Sequence, residues 1–408
     1  MTNPTQAPIP LSKSGDLDQS FGFLGTVPGP ANGTVHSIVS SDNGTLTYAI
    51  EDGVAFQIRR NLINGGRDTA FGDDGIVTGQ FESGRRSKPC RLILQEQKIL
   101  VIGDILTDQG KPGAPAVLRL NDSGSPDLVF GTVQLPPPAF SSNYDSTDGC
   151  LQHDGKIVVL TQKIDASGVG NLGQLTRLKK DGRGDNSDGI DRDFGEQGNV
   201  EISFGEHLSR MISVVIQPDS KIVVGGHYVT ASASVSQIVL ARFDINGTRD
   251  KSFGNDGYVR LGPEDGRYEL GQLIVQADGK LLCAGMTGRS AALLMRFDTH
   301  GKPDQTFNGG QELRTELGHQ NANWSALSIQ PHDEKIVVAG WTPGFPSSMF
   351  WGRLLPDGTF DTGFGNTGWI KSSVPGTPYS VTIQEGGRII VAGRRENAFM
   401  SVVCGVQG

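Results

Sequence analysis

The sequence is poor in most of the features that identify an enzyme by inspection. Its 408 residues contain four cysteines, Cys90, Cys150, Cys283 and Cys404, each standing alone. That scatter excludes the close Cys spacing of zinc sites and redox pairs, and it leaves four free, mostly buried thiols as the expectation. The seven histidines form no H-x-x-x-H or H-E-x-x-H pair, so no helical metal site is predicted. No G-x-S-x-G elbow, phosphate loop or dinucleotide fingerprint stands between a strand and a helix, and helical periodicity is missing throughout. On these grounds no catalytic residue, metal ligand or cofactor is assigned. No stretch approaches the roughly 18 apolar residues of a membrane span. The N-terminus, MTNPTQAPIPLSKSG, lacks the basic start and apolar core of a secretory signal, which makes the cytoplasm the default compartment, with signal-independent export left open. A net charge of −8 argues against nucleic acid or an anionic membrane as partner.

Glycine, by contrast, is abundant at 57 residues, about twice its usual share. It falls in turns between short, β-branched apolar runs, which is strand punctuation. A Phe-Gly anchor recurs at Phe21, Phe71, Phe130, Phe194, Phe253, Phe307 (followed by Asn308) and Phe364, at intervals of 50, 59, 64, 59, 54 and 57 residues. Seven copies of a drifting period mean a repeat protein with constant strands and variable loops. Each copy holds four strands. The first ends near a Gln (Gln95, Gln152, Gln217, Gln276, Gln330, Gln384), and a tight turn follows, as in Asp154-Gly155 and Asp278-Gly279. The second opens on Lys98, Lys156, Lys221, Lys280, Lys335 or Arg388 and closes five residues on at Gly103, Gly226, Gly285, Gly340 or Gly393, with Ile50 and Thr161 as exceptions. The third carries an Arg, and the fourth follows the Phe-Gly turn.

Radially repeated four-stranded sheets are the propeller solution to exposed sheet edges. The predicted fold is therefore all-β, a seven-bladed β-propeller over residues 14–408 preceded by a loose tail over 1–13. The C-terminus stops after a third strand and the N-terminus starts with a fourth, so pairing of the two ends is predicted to close the ring.

The run Leu17-Asp-Gln-Ser-Phe-Gly-Phe-Leu-Gly-Thr-Val, with Gln152-His-Asp-Gly-Lys-Ile-Val-Val, resembles the delta-60 repeat, a bacterial propeller-type repeat family without a general assigned function. The resemblance covers nearly the whole chain from Gly15. It implies the propeller fold and carries no catalytic residues to transfer.

Several repeated residues read as scaffold. An Arg precedes an Asp by eight residues in five copies (Arg60 and Asp68, Arg119 and Asp127, Arg242 and Asp250, Arg296 and Asp304, Arg353 and Asp361), the spacing of one recurrent structural pair. The last copy has Val402 in the place assigned to the Arg. Phe of the anchor is inter-blade core, and Lys at the start of the second strand is a solvated turn residue.

Binding specificity is expected where the copies differ, in the fourth-to-first and second-to-third connections that share one rim. The candidate ligand-binding residues there are Tyr144, Asp145, His207, Arg267, Tyr268, His319, Trp324, Trp341 and Tyr379, a set whose aromatic rings suit a sugar face or a protein hot spot. The acidic insertion from Asp181 to Asp191 misses the ligand spacing of an EF-hand and reads as a flexible loop rather than a calcium site. The Arg183-Gly184-Asp185 triplet inside it is too short to carry weight. The leading expectation is a non-catalytic scaffold whose rim binds a protein or glycan. The alternatives are a lectin, or a lyase or hydrolase working in the central channel, for which His36, Tyr144, Asp145 and Asp148 are the suggestive acid–base residues.

Overall fold

The computed structural model describes residues 13–137, 147–164, 171–183, 188–205, 208–229, 235–263, 266–288, 291–318, 321–396 and 399–408. It contains seven four-stranded antiparallel sheets in a ring, with a single 3-10 turn at Asn308–Gly310 as the helical element among these residues. We number the blades along the chain: 34–79, 87–134, 148–202, 208–261, 268–315, 323–371, and finally 376–406 completed by Thr26–Ala31. In blade 7 the N-terminal strand pairs with Met400–Val406, Thr26 opposite Cys404, so the two ends of the chain close the ring as predicted. No helix is long and apolar enough to cross a membrane.

The strand sequences follow from the layering. Second and third strands lie in mid-blade with a neighbouring blade on each face, and Leu281–Thr287 and Ala291–Phe297 are buried at every position. Such strands must be apolar on both sides. First and fourth strands lie at the sheet edges and mix buried with exposed positions, and most fourth strands are only three or four residues long, which limits the unpaired edge they offer. The first strands of successive blades approach one another around the ring and line the central channel. The core is divided into seven apolar clusters, one between each pair of adjacent blades. Each anchor Phe is at most 1 % exposed within them.

The Arg–Asp pairs form a clasp at these junctions. Arg119 Nε donates to Asp127 at 2.8 Å, its guanidinium lies 4.6 Å from the Phe130 ring, and its Nη1 reaches Gln95 and the Lys180 carbonyl of the next blade. Arg60, Arg242 and Arg296 repeat these contacts with Asp122, Thr299 and Pro356 carbonyls. In blade 3 the pair is Arg177 and Asp191 at 2.8 Å, 14 residues apart in the sequence. The Arg therefore does three things at once: it neutralises a half-enclosed carboxylate, covers the anchor ring and ties one blade to the next.

Two expectations about this clasp need correction. The second-strand Lys is part of it: Lys98 Nζ lies 2.6 Å from Asp127, and Lys156, Lys221, Lys280 and Lys335 reach the matching carboxylates at 2.9–3.3 Å. A long side chain crosses easily from the start of one strand to the adjacent one, which strand-by-strand reading does not show. In blade 7 the Arg position is held by Gly405, which pairs with Ile390 as Arg353 pairs with Val337, and Val402 lies three residues earlier. Arg388, in the Lys position, makes the clasp there: its Nε bonds Asp18 at 2.6 Å and its Nη1 bonds the Ile63 carbonyl at 2.7 Å. A Cβ on Gly405 would lie 2.5 Å from the Phe21 ring, so the glycine makes room for the anchor.

Candidate functional site in the channel mouth

Six of the seven channel-lining strands have a β-bulge at the same place, near the rim that carries the variable loops. The register skips one residue at His36, Cys90, Ile212, Gly271, Ser325 and Tyr379. In blade 3, Asp148 faces Leu160 as Arg91 faces Ile102, which puts Thr147 in the equivalent position. A bulge re-aims a side chain and leaves it out of the ladder. One residue per blade is thereby turned to the channel: His, Cys, Thr, Ile, Gly, Ser and Tyr. No two blades offer the same side chain.

The recurrent second-strand glycine is the counterpart of this bulge. A Cβ at Gly103, Gly226, Gly285, Gly340 or Gly393 would fall 1.9–2.1 Å from the carbonyl oxygen two residues before the bulge, on Lys88, Arg210, Glu269, Asn323 or Thr377. The bulged backbone leans on the second strand, and in these five blades the missing Cβ leaves space for it. Blade 1 keeps the bulge with Ile50 in that place, and nothing in the structure explains how. The residue after the glycine position forms a second ring behind the first, again without repetition: Glu51, Asp104, Gln162, His227, Met286, Trp341 and Arg394.

The outer ring braces the inner one. Glu51 Oε2 lies 3.0 Å from His36 Nε2, and Glu51 Oε1 accepts from Arg86 at 3.2 Å. Asp104 is buried behind the wall, where it accepts the Thr147 hydroxyl at 2.6 Å and the Cys90 thiol at 3.3 Å. Gln162 accepts the Met211 N–H at 3.0 Å and donates to Ser209 O, holding the inner strand of blade 4. Below the bulges, side chains stitch the inner strands together. Ser37, Asp148, Gln272 and Ser380 each accept a backbone N–H of the next blade, at 2.7–3.2 Å.

These surroundings set the electrostatics. Burial lowers the pKa of His36 against the opposing pull of Glu51, which keeps the imidazole neutral near pH 7. Burial raises the carboxyl of Asp104. It also drives the Cys90 thiol well above its ordinary value, reinforced by Asp104, so Cys90 is a hydrogen-bond donor here and a poor nucleophile. The mouth encloses about 220 Å³ lined by residues of all seven blades, including His36, Lys88, Cys90, Arg91, Thr147, Asp148, Ile212, Gln272, Ser325 and Tyr379.

Of the residues singled out from sequence, Tyr379 stands in this mouth, 43 % exposed, its ring 5.7 Å from that of His36. His36 and Asp148, named for the channel alternative, line it too. Arg267 pairs with Glu269 at 2.8 Å. Tyr268 is buried, its hydroxyl engaged with Glu312 at 3.1 Å and Arg314 at 2.8 Å. Trp324 is wholly enclosed between blades 5 and 6 and presents no face to a ligand. Trp341 is half-buried in the second ring. Tyr144, Asp145, His207 and His319 lie outside the described residues, as does part of the acidic insertion. Among the described residues no group of His, Cys, Asp and Glu is placed to hold a metal ion. Lys88, Cys90, Arg91 and Thr147 were missed; in blade 2 the second-strand Gly103, as the mark of the bulge, points to the first three, whereas blade 3 has Thr161 there and offers no such signal for Thr147.

A family model described as a domain of unknown function (DUF5122) beta-propeller matches residues 98–130 and 217–253. Two blades thus carry a known propeller repeat. The match supports a propeller-type repeat family. No curated protein matches the chain. Among solved structures, a catalytically inactive virginiamycin B lyase from Staphylococcus aureus bound to quinupristin shares 12 % identity over 93 % of this chain and 98 % of its own, with a TM-score of 0.54. Drosophila Semaphorin 2a shares 8 % identity over 97 % and 76 %, with a TM-score of 0.56. The polysaccharide lyase Uly1 shares 12 % over 99 % and 94 %, with a TM-score of 0.51. These likenesses are likenesses of fold.

Proposed function

We propose that the protein is a non-catalytic binding propeller whose site is the channel mouth, where it takes a small polar ligand. The observation that supports this is the contrast between a repeat that is uniform elsewhere and two concentric rings at one depth that never repeat. A scaffold needs the bulge, but it does not need seven different side chains on it. The rim loops contribute less to this reading, because Tyr268 and Trp324 are committed to their own blades. The repeat itself we place with the delta-60 type on its Leu-Asp-x-x-Phe-Gly signature.

The test is a thermal-shift panel of glucose, glucosamine, glucuronate, simple organic acids and inorganic phosphate, run on the natural protein and on Ile212→Trp. Ile212 lines the mouth from blade 4, two blades on from Lys88, and an indole there would narrow it. A ligand that stabilises the natural protein and not Ile212→Trp supports the channel; one that stabilises both equally places its site elsewhere.

One observation favours catalysis as a second reading. With Nε2 donating to Glu51, the neutral His36 imidazole keeps its other nitrogen as a proton acceptor, the arrangement of an oriented general base. Lyases are among the proteins of similar fold. For any ligand found to turn over, His36→Ala would abolish turnover while leaving binding within a few-fold; a variant with full turnover would remove this reading.

A further inference from the structure

Resting on the channel reading above, we infer that the ligand carries an anionic group, a carboxylate or a phosphate, and that Lys88, Arg91 and Tyr379 receive it. The inference comes from an account of donors and acceptors in the mouth. Most acceptors on its carboxylates and amide are in use. Glu51 is taken by His36 and Arg86, and Asp104 by Thr147 and Cys90. Asp148 Oδ2 is taken by the Val214 N–H at 2.9 Å, and the Gln272 amide oxygen by the Leu327 N–H at 2.7 Å.

The donors are not in use. Lys88 has no hydrogen bond or ion pair from its ammonium among the described residues, although it is half-buried and lines the mouth. The Nε of Arg91 is buried without a hydrogen-bond partner, and its contact with Asp148, at 3.7 Å, is too long to be one. The Tyr379 hydroxyl has no partner among the described residues. An N–H buried without a partner is costly. A ligand that brings oxygen acceptors with negative charge meets all three at once, whereas a cationic ligand would be repelled by Lys88 and Arg91 and would find Asp148 Oδ1 as the one oxygen of these carboxylates without a hydrogen bond. Lys and Arg side by side give a point charge and a planar fork, a pairing that suits carboxylate or phosphate oxygens.

The probe is inorganic phosphate, followed by line broadening in ³¹P spectra, with glucuronate, glucose and glucosamine compared by calorimetry. Saturable phosphate binding is expected, weakened at least tenfold in Lys88→Gln and at least fivefold in Arg91→Gln, and unchanged in the control Lys371→Gln on the exposed outer strand. Glucuronate is expected to bind at least tenfold more tightly than glucose or glucosamine. Thermal denaturation of each variant confirms that it is folded; if Lys88→Gln is not, Arg91→Gln and Tyr379→Phe, the latter expected two- to fivefold weaker, carry the test. Phosphate and glucuronate affinities that ignore all three substitutions overturn the inference. So does glucose or glucosamine binding as tightly as glucuronate; if Ile212→Trp abolishes that binding, the channel reading still stands. Loss of both readings would show as no ligand sensitive to Ile212→Trp.

Discussion

The two faces of the ring obey different rules. On the face with the tight first-to-second turns, six blades present the same Arg, Asp and Phe in the same geometry, five of them with the Lys, and the seventh rebuilds the contact from another residue when Gly405 displaces the Arg. At the channel mouth, the same bulge recurs and the side chain it presents differs every time. Where residues are constrained by the neighbouring blade, the sequence repeats; where they face the open channel, only the backbone repeats. Constancy in this chain therefore marks load shared between blades, and variety at a fixed backbone position marks the site we propose.

The largest test of that division is Arg119→Ala. It removes the bonds to Asp127, Gln95 and the Lys180 carbonyl and uncovers the Phe130 ring, leaving Lys98 to hold the carboxylate, and is expected to cost about 2–3 kcal/mol, read as a lowered urea midpoint, while phosphate binding to the refolded protein keeps its affinity. A loss below about 1 kcal/mol would mean that the clasp is decoration. Acidification attacks the same face at several junctions. Against the opposing effect of burial, hydrogen bonds and nearby cations hold Asp127, Asp250 and Asp304 down at about 2, below the 3.8 of a free carboxyl. A depressed folded-state value contributes stability that is complete above about pH 4 and is lost as pH falls towards 2. Denaturant midpoints measured from pH 5 to pH 2 should fall most steeply in that lower window; a flat profile would contradict the clasp as described.

Gly226→Ala is expected to cost roughly 1–3 kcal/mol, because the carbonyl of Arg210 must move away from the new methyl group. If it costs nothing, the bulge is as tolerant in blade 4 as Ile50 shows it to be in blade 1, and the glycine is no marker of the site. The smallest effect belongs to the mouth itself. Tyr379→Ala should leave stability within about 0.5 kcal/mol, since the ring is partly exposed, and yet weaken ligand binding. A large loss of stability there would erase the distinction between the two faces.

Much of this architecture was legible in the chain. The Phe-Gly anchors and the alternation of short apolar runs with glycine turns carry the seven blades, and the complementary fragments at the two ends carry the closure. The eight-residue Arg–Asp interval marked a structural contact. The site was less legible, because aromatic side chains in variable loops attract attention, whereas Trp324 is drawn into the core by its place opposite Gly340. Lys88, Cys90 and Arg91 sit in an inner strand whose alternation is broken by the bulge, so period-two reading gives no indication that they face the channel. Glycine at the end of the second strand was visible in five copies, but its meaning depends on a carbonyl in the strand alongside, a relation that exists only after pairing.

The closing strand has a consequence for how the protein is made. Tyr379 and His36 stand on either side of the seam, one on the last blade synthesised and the other on the first. A chain still emerging from the ribosome can stack its early blades, but the strand Thr26–Ala31 waits unpaired until Met400–Val406 is available. Until then the mouth lacks one wall. Ligand capture at the proposed site would therefore require the closed ring, and a chain lacking Met400–Val406 would be left with an open ring and an exposed strand edge.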